Sequence, residues 1–64
     1  MDKKLAKQLV DAHRKTAELY NEAANRACES GGPFEVYHLM KLMIAEEGKI
    51  RALENRYLRG ELGA

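Results

Sequence analysis

ESGGP, residues 29–33, is the stretch that decides how this chain folds. Gly31 has no Cβ and can take the left-handed conformation that ends a helix. Pro33 has its φ already set for the first turn of a helix and lacks an N–H that such a turn leaves unused. Glu35 then suits the positive N-terminal end of a second helix. No other strong breaker interrupts the first 59 residues. On both sides lie long stretches rich in Ala, Leu, Glu, Lys and Arg, which favour the helix. There is no β-branched alternation, repeat or low-complexity tract. Asp2 is placed to cap the first helix and Gly60 to close the second. The sequence therefore predicts an all-α fold, a two-helix antiparallel hairpin with helices over about 2–29 and 33–59 and a turn at 30–32, filling 1–64 as one domain.

With about 100° per residue, the first helix carries a wide stripe from Leu5, Ala6 and Leu9 through His13, Thr16, Leu19 and Tyr20 to Ala27. The second carries Val36, Leu39, Met40, Leu42, Met43, Ile44, Ile50, Leu53, Tyr57 and Leu58. Near the turn, helix 1 offers mostly Ala, which cannot cover the larger side chains opposite. Leu39, Met40, Leu42, Met43, Ile44 and Ile50 are accordingly expected to form a dimer core, two hairpins making a four-helix bundle. A chain of 64 residues needs such help, because a core this small supplies no more than about 3–5 kcal/mol. Cys28 is the single cysteine, so no disulfide forms within the chain, and a lone thiol suits a reducing compartment. With no signal peptide and no apolar run of membrane length, the expected location is cytoplasmic.

Glu46 and Glu47 interrupt the apolar side of helix 2, and Glu54 follows one heptad after Glu47. A tight hairpin sets Glu47 across from Thr16, with His13 within a turn and Tyr20 nearby. One reading is a polar layer in which His13, Thr16 and Tyr20 donate to the carboxylates, a device that fixes register. The other is a metal site made by two chains from His13, Glu46, Glu47 and Glu54. The one Glu-x-x-His match, Glu35 to His38, lies beside the turn with His38 facing outward, which favours the polar layer. No metal and no cofactor are expected. Cys28 and His13 are about 22 Å apart along one helix, too far for a nucleophile and its base. Cys28 reads as a small, partly buried apolar residue, and the chain as no enzyme.

The net charge is +1. Its distribution is uneven: residues 1–16 and 48–64 hold nine Lys/Arg against four acids, and residues 17–47 two against six. The outer side of helix 2 presents Lys41, Ala45, Gly48, Lys49, Ala52, Arg56 and Arg59 without an acid, its small residues forming a track for the close approach of another backbone. The leading expectation is a small non-enzymatic regulator or inhibitor that binds another protein through this face as a homodimer. The alternative is an RNA- or DNA-binding dimer that uses the basic chain ends and the same outer face. In length and plan, though in no stretch of residues, the chain resembles the Rop-type dimeric hairpins, which regulate plasmid copy number by binding paired RNA loops. That resemblance implies that basic outer helices on such a dimer can serve an RNA. Phage and plasmid regulators share this size and class, and no site residue carries over.

Overall fold

The computed structural model of the chain describes residues 1–59. Two helices, α1 (Lys3–Glu29) and α2 (Pro33–Tyr57), fold back on each other as an antiparallel hairpin. The expected cap at Gly60 lies outside the described residues. At the start of α1, Asp2 is extended, and its Oδ1 accepts a hydrogen bond from the Leu5 N–H at 2.7 Å. That bond satisfies one of the donors a helix start leaves open. Asp2→Ala is expected to cost about 1 kcal/mol, read as a lower urea midpoint with an unchanged slope.

The turn is built as its residues predict. Gly31 is the one described residue at positive φ, +77°. The Gly31 N–H donates to the Cys28 carbonyl at 3.1 Å and the Gly32 N–H to the Ala27 carbonyl at 3.0 Å, a Schellman closure. The Ser30 N–H and hydroxyl both donate to the Arg26 carbonyl. Pro33 then opens α2, with Glu35 in its first turn.

The helices meet along Ala6, Val10, Ala24 and Ala27 of α1 and Ile50 of α2, with Leu58 closing the free end. The larger buried side chains gather at that end, where Leu53 and Tyr57 pack on Ala6, Val10, Ile50 and Leu58. Toward the turn, Ala24 and Ala27 let the backbones approach. The sequence put all of α1's wide stripe against α2, but Leu5 and Leu19 remain 46% and 64% exposed. A single helix covers only part of so broad an arc, and here it covers the line 6, 10, 13, 17, 20, 24, 27. The accessible surface is 5049 Å², against about 4100 Å² for a compact monomer of this mass. The molecule is a rod of 43 × 18 × 15 Å that leaves Leu5, Leu19, Phe34, Tyr37, Met40 and Ile44 exposed. Among the described residues, no helix is long and apolar enough to cross a membrane.

Candidate protein-binding site

Lys41, Ala45, Gly48, Lys49, Ala52 and Arg56 are all exposed on the side of α2 turned away from α1, and Arg59, two residues past the end of the helix, is exposed as well. Their common placement follows from the helical period, since Ile50, on the opposite side, is buried. A Cβ added at Gly48 would meet no atom within 4 Å. The hairpin itself therefore does not require glycine there, and the track is open for an incoming backbone.

Three of the flanking cations are steadied by neighbours on their own helix. The Lys41 ammonium sits 5.4 Å from the Tyr37 ring centre, and the Arg56 guanidinium 5.6 Å from that of Tyr57. Lys49 Nζ lies 3.6 Å from Glu46 Oε1.

At the turn end this face begins with two aromatic residues, Phe34 and Tyr37, that the sequence analysis does not name, beside Met40 and Ile44, which it assigns to the dimer core. Phe34 is 88% exposed and Tyr37 65%, followed along α2 by Met40 at 46% and Ile44 at 59%. Phe34 falls on the same side of the helix as Lys41, Ala45 and Ala52. Its helical phase carried the signal: placed on the wheel, it lies opposite Ile50. Beside it, Cys28, Gly32, Pro33, Val36, Tyr37 and Met40 line a shallow apolar groove of about 450 Å³. Cys28 is exposed there, contrary to the expectation that it is partly buried. It lies at the edge of α1's contact with α2, where the short turn leaves the groove open.

The inward glutamates separate. Glu46 lies toward α1, and the His13 Nδ1–H donates to its Oε2 at 2.6 Å. A carboxylate only accepts, which sets the hydrogen on Nδ1. Glu47 is exposed, correcting the expectation that both face the partner helix: it lies about 100° around α2 from Glu46 and falls outside the contact. Glu54 instead accepts from Arg14 Nη2 at 2.8 Å. Thr16 donates to the Ala12 carbonyl of its own helix at 3.0 Å rather than to a glutamate. Within one chain His13, Glu46, Glu47 and Glu54 thus divide into two separate pairings and a solvated carboxylate. Among the described residues, no three His, Cys, Asp or Glu side chains are grouped to hold a metal ion. The His13–Glu46 and Arg14–Glu54 bonds both cross between the helices and fix their register.

Of the residues expected in a dimer core, Ile50 is already covered by α1, because it is the α2 residue that faces Val10 and Ala6. Leu39, Leu42 and Met43 are half-buried, and Met40 and Ile44 are exposed. At the free end Lys3, Lys4, Lys7, Arg14, Lys15, Lys49, Arg51, Arg56 and Arg59 are all exposed, while Tyr57 packs against the core and offers no free ring for stacking. Comparison with protein-family models, curated proteins and solved structures gives no match to this chain.

Proposed function

We propose that this chain is a small non-enzymatic regulator or inhibitor that acts as a homodimer by binding another protein along the outer face of α2. The observation that carries this reading is the continuity of that face. Exposed Phe34 and Tyr37 supply aromatic anchors, and the open track of Ala45, Gly48 and Ala52 admits a backbone. Lys41, Lys49, Arg56 and Arg59 then flank the track to meet carboxylates. Interfaces draw most of their affinity from a few such anchors, with charges at the rim setting partner choice and rate. The partner in this reading presents an acidic amphipathic helix.

The test is capture of a partner by the wild-type chain and by Gly48→Leu, after nuclease treatment. Leucine fits the hairpin, since the space around Gly48 is open, so helicity should persist while the captured protein is lost. Equal capture by both chains would remove the track from the site. The second reading, an RNA- or DNA-binding dimer, is favoured by the nine exposed Lys/Arg at the free end. It predicts affinity falling steeply with salt, in proportion to the phosphates contacted, and weakened by Arg56→Ala or Arg59→Ala whatever the base sequence.

A further inference from the structure

One helix of this hairpin carries two parallel seams; α2 covers one of them and only half-covers the other, leaving Leu5, Ala12 and Leu19 exposed. The covered seam of α1 runs through Ala6, Val10, His13, Ala17, Tyr20, Ala24 and Ala27. One residue earlier at each step lie Leu5, Leu9, Ala12, Thr16, Leu19 and Ala23, spaced alternately four and three apart. Such a 3.5-residue repeat keeps one side facing a helical partner over its whole length. No member of this second seam is ionisable. The one polar group in it, the Thr16 hydroxyl, is satisfied by the Ala12 carbonyl. Every other exposed position of α1 except Cys28 is Lys, Arg, Asp, Glu, Asn or Gln. The uncovered apolar side chains of α1 are therefore drawn up in a line rather than scattered.

We infer that a second copy of the chain covers this seam, α1 packing antiparallel on α1 about a two-fold axis near residue 14. The inference rests on the homodimer of the reading above, though not on its partner, and it moves the dimer contact from α2 to α1. Three observations select this occupant. The chain as a whole exposes on the order of 900 Å² more than a compact monomer of its mass, so it has surface to give up to a second copy. The charge layout sets the direction. Among the described residues, the free end carries nine Lys/Arg against three acids and the turn end two against six, on a rod 43 Å long. A parallel pair would crowd like charges at both ends, whereas the antiparallel pair lays each basic end along an acidic one. The seam also fits itself. Reversed about residue 14, Leu5 meets Ala23 of the second copy and Leu9 meets Leu19. Ala12 then meets Thr16, so small residues lie at the axis and larger ones beyond. This arrangement leaves the outer face of α2 free for the protein partner.

The exposed native Cys28 gives a direct measurement on the full-length chain. It lies 14 residues from the axis in each copy, so nitroxide labels there should be roughly 40 Å apart at ~1.5 Å per residue. Sedimentation equilibrium should give twice the 7.2 kDa chain mass. Leu19→Ala, at an exposed position where alanine favours the helix, should raise the dimer dissociation constant about 100-fold with helicity retained, and Met40→Ala should leave it unchanged. Labels within about 20 Å would overturn the antiparallel seam while leaving a dimer. A dimer sensitive to Met40→Ala but not to Leu19→Ala would overturn it in favour of α2. A chain that stays monomeric across the dilution series overturns the inference and gives the seam to a different protein or a lipid surface.

Discussion

Ile50→Ala is expected to remove most of the hairpin's stability at 25 °C. Ile50 is 8% exposed and packs with Ala6, Val10 and Leu58, among the described residues the one cluster in which larger apolar side chains are shut away from water. Truncating a buried Ile costs about 2–5 kcal/mol. The lower part of that range applies here, because among the described residues no large side chain is completely enclosed and the neighbours can close in. Against a total of about 3–5 kcal/mol for a domain of this size, even 2–3 kcal/mol removes most of the stability. The measurement is helical circular dichroism through a urea titration, with Ile44→Ala as the control. Ile44 is a similar side chain on the same helix but 59% exposed, and its truncation should shift stability by less than about 0.5 kcal/mol. Equal losses in the two variants would mean that Ile50 is no more buried than Ile44 in solution.

Phe34→Ala is expected to give the opposite result, a stable hairpin that has lost its partner. With 88% of its surface open to water, the ring contributes little to the fold. A largely exposed phenyl ring at the head of a binding track is the kind of anchor that costs about 2 kcal/mol or more when truncated, roughly a 30-fold weaker complex. Binding measured by calorimetry on wild-type and variant chains, beside their urea curves, separates the two effects. A variant that binds normally would take the turn end out of the interface and leave the track from Lys41 to Arg59 to carry the contact alone.

The two variants show where local rules suffice and where they stop. The turn was legible because its signals act over a few bonds. Gly31 tolerates φ of +77°, and the Schellman bonds from Gly31 and Gly32 close the helix they follow. Pro33 begins the next helix, as its fixed φ dictates. The Asp2 cap is local in the same way. The outer face of α2 was legible from periodicity alone, and all of its named residues are exposed. The exposure of Phe34 follows from the same phase, although it stands beside the proline.

What periodicity could not resolve was the choice between neighbouring lines on one helix. In α1 the lines 5/9/12/16/19/23 and 6/10/13/17/20/24 are only about 100° apart, and both are largely apolar. Composition merges them into one wide stripe. Glu46 and Glu47 pose the same problem in α2, where one carboxylate meets His13 and the other faces water.

The sequence by itself determined two helices, the place and chemistry of the turn, the α1 cap and the separation of basic from acidic ends, because each depends on a residue's own backbone preferences or its position along the chain. Only the tertiary structure decided which of α1's lines is spent inside the hairpin, that Ile50 belongs to the internal core, and that His13 takes Glu46 while Arg14 takes Glu54. Those outcomes depend on the rotation of one helix against the other. That rotation is set by packing Ala6 and Val10 against Ile50 and Leu58 at the free end and by the buried Ala24 and Ala27 at the turn end, a condition on the summed contacts of both helices that neither helix carries alone.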